Sequence, residues 1–301
     1  MKKIGFIGLG IMGKPMSKNL LKAGYRLIVY DINKAAVENV VEAGAEEGKS
    51  IKDVASKSDV IITMLPNSPQ VKEVLLGEDG VLEGASSGTL IIDMSSISPV
   101  ISIELEKKVK EKGLRMIDAP VSGGEPKAID GSLSIMVGGI EKDFEDALEI
   151  LKCMGKSVVR VGEIGSGNIT KLANQVIVAL NIAAVSEAFV LATKAGVAPE
   201  LVYNAIRGGL AGSTVLDAKA PMILNGNFQP GFNIDLHIKD LNNALETAKE
   251  LGVPLMLTSQ IMQILQALKV DGEGKSDHSA IVKFYEKLSR IEVRKNDKHY
   301  N

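Results

Sequence analysis

The sequence predicts a chain of two parts, the first α/β and the second all-α, joined by a long buried helix. Up to about residue 161, short apolar runs of strand type alternate with helical patterns. After that point the strand signals stop, and helical patterns separated by glycines follow. Between the two parts lies an apolar stretch at 165–197, long enough for one continuous helix. We therefore predict domains at 1–164 and 165–293, followed by a polar tail at 294–301.

The composition indicates a globular protein of the cytoplasm. Of the 301 residues 45% are hydrophobic, and the net charge of −2 gives no electrostatic reason to expect binding to nucleic acid or to an anionic membrane. Cys153 is the single cysteine, so no internal disulfide can form. Polar residues interrupt the long apolar stretch, which argues against a membrane span. We expect no nucleic-acid or membrane partner and no processed leader.

A glycine motif lies between the first predicted strand, 3–8, and the first predicted helix, 12–23. In such a G-x-G-x-x-G turn the first glycine allows the turn, the second lets a pyrophosphate approach the backbone, and the third lets helix and strand pack closely. The amides at the start of the helix then face the phosphates. This predicts a Rossmann-type dinucleotide-binding domain whose cofactor contacts include Gly8, Gly10, Ile11, Met12 and Gly13.

Asp31 follows the second predicted strand, 26–30, at the spacing of a carboxylate that binds the adenosine ribose. Such a carboxylate accepts hydrogen bonds from the ribose hydroxyls and repels a 2′-phosphate. No arginine stands at Ile32 or Asn33, so the sequence favours NAD over NADP. Lys34 leaves NADP as an alternative.

Two further strand ends are candidate cofactor contacts, because ligands of open parallel sheets bind beyond the carboxyl ends of the strands. The predicted strand 59–64 ends at Leu65 and Pro66, and the strand 89–93 is followed by Ser96. These residues are expected beside the adenosine and the nicotinamide. Ser96 could also cap the next helix, and the two roles are compatible.

The segment after the predicted strand 114–118 offers small residues with free amides, which is typical of an anion-binding nest. A substrate carboxylate could be held there by Ser122, Gly123 and Gly124. An ordinary loop made of turn residues explains the same letters equally well.

Lys171 and Asn174 lie three residues apart near the start of the long helix, and so share one of its faces. Such a lysine either extends along the apolar surface to reach water or serves as a functional group in a cleft. The three histidines are far apart in the sequence and lack metal-ligand spacing, which predicts no metal site. Asp240 and Asp277 are interpreted as helix or ion-pair residues.

Four motifs in order resemble the β-hydroxyacid dehydrogenase family. They are GLGIMG at 8–13, DAPVSGG at 118–124, G-x-G-x-x-x-K-x-x-N at 165–174 and KDL at 239–241. The resemblance runs from Lys3 to Val293. Three segments, 208–221, 234–241 and 276–280, are most similar to the members that reduce tartronate semialdehyde.

The resemblance implies a role for each matching residue. Lys171 would be the catalytic residue, and Asn174 would bind substrate together with the carboxylate-binding residues 122–124. Ser96 would lie against the nicotinamide, and Lys239 would reach the cofactor from the helical domain. The implied reaction is the reversible NAD-dependent reduction of tartronate semialdehyde (2-hydroxy-3-oxopropanoate) to D-glycerate, with Lys171 as general acid and base.

Other functions stay open at this point. A related enzyme could act on 3-hydroxyisobutyrate, glyoxylate or succinic semialdehyde. A protein that binds the cofactor for interaction alone would be expected to lack Lys171. The apolar helix at 171–192 is unsuited to solvent, so we expect a homodimer or homotetramer paired through the helical halves.

Overall fold

The structure is a computed structural model that describes residues 2–295. The chain divides into two compact units, residues 1–171 and 172–301. All nine strands of the described residues lie in the first unit, and the second is helical, as the sequence predicts. The predicted domain boundary at 164/165 stays a prediction. Of the predicted tail, Lys295 donates its backbone N–H to the Leu224 carbonyl, and residues 296–301 lie outside the described part.

The first unit alternates strands and helices. The strands are β1 (Lys3–Ile7), β2 (Arg26–Tyr30), β3 (Glu46–Glu47), β4 (Val60–Thr63), β5 (Leu90–Asp93), β6 (Arg115–Asp118), β7 (Val121–Ser122), β8 (Leu133–Gly138) and β9 (Gly155–Gly162). The helices are α1 (Gly13–Lys22), α2 (Lys34–Val41), α3 (Ile51–Ser56), α4 (Ser68–Leu76), α5 (Val81–Gly84), α6 (Pro99–Glu111), α7 (Gly124–Asp130) and α8 (Glu141–Lys152). The long helix α9 (Ser166–Lys194) begins in this unit and continues into the second.

The sheet has the strand order β3-β2-β1-β4-β5-β6-β8-β7, with β9 paired to β8. The six strands from β3 to β6 are parallel, and their order is the one that dinucleotide-binding sheets use. Both β6 and β7 pair antiparallel with β8. The direction of winding reverses between β1 and β4, which is where such sheets open a crevice for the ligand.

Side chains of the central strands enter two separate cores because successive residues point to opposite faces of a sheet. Ile62 and Ile92 belong to one buried cluster, whereas Ile61 and Ile91 belong to the other. Burial on both faces explains why these strands are continuous apolar runs without alternation.

The second unit is built from α10 (Pro199–Ile206), α11 (Thr214–Leu224), α12 (Ile234–Leu251), α13 (Met256–Val270) and α14 (Ile281–Ser289). Short 3₁₀ turns at Glu273–Lys275 and His278–Ala280 precede α14. Asp277 is fully buried and accepts hydrogen bonds from the Lys219 ammonium and from the backbone of Gly231, Phe232 and Ser279. This confirms the interpretation of Asp277 as an ion-pair residue.

The long helix α9 is less buried than the sequence suggests. With 29 mostly apolar residues, the helix is long enough to cross a membrane by length and composition alone. Only 33% of its most apolar stretch is buried within the chain. Ile177 and Leu191 are 60% and 73% exposed. The predicted long helix is present, and in the single chain it is only partly buried, with an exposed apolar side.

Candidate active site

The three glycines of the loop between β1 and α1 are needed for two different reasons. Gly8 has φ of +97°, and a Cβ there would overlap the Met64 carbonyl. A Cβ on Gly13 would overlap the carbonyl of Gly8, whereas one on Gly10 would meet nothing within 4 Å. Internal packing thus explains the outer glycines only. The space at Gly10 fits the approach of a pyrophosphate, and the exposed Ile11 and half-buried Met12 complete this loop.

Asp31 follows β2 directly and is fixed beside the glycine loop. Its Oδ2 accepts a hydrogen bond from the Leu9 backbone at 2.6 Å, and its Oδ1 accepts one from the Asn33 backbone at 2.8 Å. The neighbouring Ile32 is 92% exposed. These contacts orient the carboxylate at the carboxyl edge of the sheet, where an adenosine ribose would lie.

Lys34, the residue that could favour NADP, has an acidic partner. Its ammonium lies 2.8 Å from Oε1 of Glu47, and this hydrogen bond raises the pKa of Lys34. Both side chains are exposed, so the pair is weak in energy. It still directs the lysine toward a carboxylate.

The loops after β4 and β5 are tied together by buried polar groups. Asp93 Oδ1 accepts hydrogen bonds from Thr63 Oγ1 at 2.8 Å and from the Ser95 backbone at 3.1 Å. Ser95 Oγ in turn accepts from the Leu65 backbone at 2.9 Å. Leu65, Pro66 and Ser96 therefore stand on two loops whose relative position is fixed.

The segment after β6 is more ordered than a plain loop. Ser122 belongs to β7 and pairs with Ser134 of β8. Gly123 has φ of +138°, which favours glycine, and Gly124 begins α7. The sequence pattern does not predict α7. Ser122 and Gly124 are half-buried and Gly123 is exposed; their role in binding a carboxylate stays a prediction.

Asp118, the last residue of β6, was missed as a functional candidate. Its two oxygens accept hydrogen bonds from the backbone of Gly165 and Asn168, both at 2.7 Å, at the start of α9. Burial raises its pKa to about 7 although these two amides lower it, and Asp93 on the adjacent strand raises it further. The signal in the sequence was an aspartate that ends an apolar strand.

Lys171 is 6% exposed, which is inconsistent with a lysine that merely reaches water. Asn168 and Gln175 are buried one turn to either side of it, so the first turns of α9 carry a polar stripe. Lys171 and Asn174 lie three residues apart within this helix, as predicted.

Asn174 and Lys239 belong to one polar chain in the second unit. Asn174 Nδ2 donates to Gln175 Oε1 at 2.9 Å, and Gln175 Nε2 donates to Asp240 Oδ2 at 2.5 Å. The other oxygen of Asp240 pairs with the Lys239 ammonium at 2.9 Å. Asp240 is thus an ion-pair residue, as interpreted, and Gln175 is a contact that the sequence did not reveal.

His237 and His278, 41 residues apart in the sequence, contact each other. Their Nδ1 atoms are 2.9 Å apart, and His237 Nε2 lies 3.3 Å from the Gln175 carbonyl. Phe232 packs against both rings in edge-to-face arrangements. The third histidine, His299, lies outside the described residues. Within residues 2–295 no group of three metal-ligating side chains occurs. That the protein has no metal site stays a prediction.

Both parts of the chain match known families. Residues 3–162 match the family described as "NAD binding domain of 6-phosphogluconate dehydrogenase". Residues 165–285 match the one described as "NAD-binding of NADP-dependent 3-hydroxyisobutyrate dehydrogenase". The chain is 45% identical to the 2-hydroxy-3-oxopropionate reductase of Escherichia coli K12, over 95% of this chain and 98% of that protein.

A second relative is the 2-(hydroxymethyl)glutarate dehydrogenase of Eubacterium barkeri, 42% identical over 97% of both chains. Among solved structures, a 3-hydroxyisobutyrate dehydrogenase of Mycobacterium tuberculosis with L-serine superposes with a TM-score of 0.88. It is 32% identical and covers 95% of this chain and 99% of that one. The chain therefore belongs to the β-hydroxyacid dehydrogenase family and is an NAD(P)-dependent oxidoreductase that acts on hydroxy acids.

Proposed function

We propose that the protein reduces tartronate semialdehyde to D-glycerate with NADH, and catalyses the reverse oxidation. The observation that carries this proposal is the 45% identity, over nearly the whole of both chains, to a 2-hydroxy-3-oxopropionate reductase. Because the chain belongs to a family of oxidoreductases, the alternative of a protein that binds the cofactor without catalysing a reaction is set aside. A 3-hydroxyisobutyrate dehydrogenase is the second candidate, favoured by the TM-score of 0.88.

The nicotinamide, when bound, supplies or accepts the hydride, so the protein has to place the substrate and manage one proton. During reduction negative charge develops on the carbonyl oxygen. Lys171, as an ammonium, would donate a hydrogen bond to that oxygen and then its proton; as a neutral amine it would remove the alcohol proton in oxidation. Its burial strengthens the interaction because water is excluded.

The other residues would position the reactants. Asn174 would hydrogen-bond the substrate without adding charge, and its link to Gln175 restrains the amide. Amides and hydroxyl of residues 122–124 would hold the substrate carboxylate. Residues 8 and 10–13, Asp31, Leu65, Pro66, Ser96 and Lys239 would contact the cofactor. We assign residues 1–164 to cofactor binding and 165–293 to substrate binding and dimerisation.

A substrate panel tests the proposed reaction. Purified protein is assayed with NADH and tartronate semialdehyde, glyoxylate and succinic semialdehyde, and with NAD and 3-hydroxyisobutyrate, 2-(hydroxymethyl)glutarate and L-serine. We expect the highest kcat/KM for tartronate semialdehyde. A higher value for 3-hydroxyisobutyrate would replace the first candidate by the second.

Lys171→Ala should lower kcat by about a hundredfold or more, because the transition state loses its proton donor. NADH binding and thermal unfolding should stay nearly unchanged. Lys194→Ala, on the exposed end of the same helix, is the matched control and should keep full turnover. Near-normal kcat in the Lys171 variant would remove it from catalysis, and loss of folding would make it structural.

Asp31→Ser combined with Ile32→Arg should shift the cofactor preference toward NADPH. The change removes a carboxylate that would face the 2′-phosphate and adds a guanidinium that can bind it. We expect the effect mainly in the KM for each cofactor, since the ribose is remote from the hydride. Glu47→Gln, which releases Lys34 from its pair, should produce a smaller shift in the same direction. Equal wild-type efficiency with both cofactors would contradict this role of Asp31.

We further propose a homodimer or homotetramer in the cytoplasm, paired through the uncovered side of α9. Ile177→Lys with Leu191→Lys should shift the protein toward monomer in light scattering, because charge replaces exposed apolar surface. Ile140→Lys, at an exposed position of the first unit, should leave the oligomeric state unchanged. A wild-type monomer of 32.0 kDa at micromolar concentration would contradict the assembly.

A further inference from the structure

The start of α9 is held by a side chain that is distant in sequence. The first amides of a helix have no partner within the helix. Here Asp118 supplies two acceptors, and its partners Gly165 and Asn168 lie 47 and 50 residues further along the chain. A carboxylate also interacts favourably with the positive end of the helix dipole. Asp118 thus acts as a tertiary N-terminal cap.

Two glycines pack closely around this carboxylate. A Cβ on Gly138 would overlap Asp118 Oδ1, and a Cβ on Gly167 would lie 2.8 Å from Oδ2. Asp118 itself is fully buried. The backbone at both glycines therefore approaches the carboxylate so closely that a larger residue at position 138 or 167 would displace Asp118 or the first turn of α9.

Asn168 extends the cap to the loop after β5. Its Oδ1 accepts a hydrogen bond from the Ile97 backbone at 3.1 Å, and its Nδ2 donates to Ser102 Oγ of α6 at 3.1 Å. Ile97 follows Ser96, the proposed nicotinamide contact. We call Asp118, Asn168 and Ser102 the α9 clamp; it joins β6, α6 and the loop after β5 to one turn of helix.

Lys171 comes three residues after Asn168, on the same face of α9. Each residue of a helix adds 100° of rotation and 1.5 Å of rise, so the first turn determines where the lysine points. We propose that Asp118 and Asn168 are positioning residues, which set the rotation and axial position of α9 and thereby place the Lys171 ammonium for proton transfer. The inference rests on the proposed function through the role of Lys171.

The charge of Asp118 is consistent with this role. Burial raises the pKa of Asp118 to about 7, opposed by the amides that it binds, and Asp93 on β5 adds repulsion. An ionised carboxylate is the form that accepts both hydrogen bonds, whereas a protonated one or an amide keeps a single good acceptor. The raised pKa means that burial disfavours the charged form of Asp118, and the hydrogen bonds from the start of α9 offset part of that cost.

The test compares Asp118→Asn with the wild type and with a matched control. Asp143→Asn also removes a buried carboxylate of the first unit, one that binds Arg115 and has no hydrogen bond to α9. In Asp118→Asn, amide hydrogen exchange of the peptide 163–172 should rise by about tenfold, because one capped amide loses its acceptor. The control should leave that peptide unchanged.

Turnover supplies the second readout. Asp118→Asn should lower kcat by about 10- to 100-fold with the KM for NADH within about twofold, since a small displacement of a catalytic group is costly and cofactor binding is not altered. Ser102→Ala is a milder change that removes the side-chain partner of Asn168, and it should lower kcat less. If Asp118→Asn does not fold, this second variant still tests the proposal. Unchanged exchange, or a kcat that falls only with the folded fraction, would overturn the proposal.

A third readout does not need turnover. Acetylation of Lys171 by N-hydroxysuccinimidyl acetate, followed by mass spectrometry, should be faster in Asp118→Asn than in the wild type and unchanged in Asp143→Asn. A wild type inactive on the whole substrate panel would overturn the proposed function, while the labelling rate would still decide the clamp. Equal labelling of all three proteins would overturn the clamp even if the enzyme is active.

Discussion

Parallel pairing of six strands is the constraint on which the site of the first unit depends. Parallel strands end at one edge of the sheet, so the segments after β1, β2, β4, β5 and β6 emerge together. Every candidate residue of this unit lies on one of these segments or at the start of α9. The pairing also requires burial on both faces, which the two cores provide. Cofactor binding is therefore a property of the sheet edge more than of any single loop.

Local signals explain which parts of the fold could be predicted. The strand β2 occurs at the predicted residues and the helix α1 within one residue of them, because apolar runs and periodic apolar residues end there at clear turn signals. The helix α11 was missed because Pro221 lies inside it, and α7 because GGEPKAID is rich in turn residues. These helices depend on tertiary packing, which local propensity does not report.

The candidate site shows the same difference between local and long-range signals. The glycine loop, Asp31 and the Lys171–Asn174 pair could be found because each is a spacing within a few residues of sequence. The partners of Asp118 and the contact between Gln175 and Asp240, 65 residues apart, could not, because only the fold brings them together. Burial was also beyond the sequence: it took the structure to show that Lys171 is enclosed while Leu191 is exposed.

The contact between His237 and His278 has a consequence for the hydrogen atoms of both rings. A carbonyl can only accept, so His237 donates from Nε2 to the Gln175 carbonyl, and in the neutral form of the ring Nδ1 then accepts. His278 consequently carries its hydrogen on Nδ1, which fixes one tautomer for each imidazole. The Gln175 carbonyl, on α9 beside Asn174, thus selects through His237 the chemical form of the imidazole at position 278, which lies in a 3₁₀ turn.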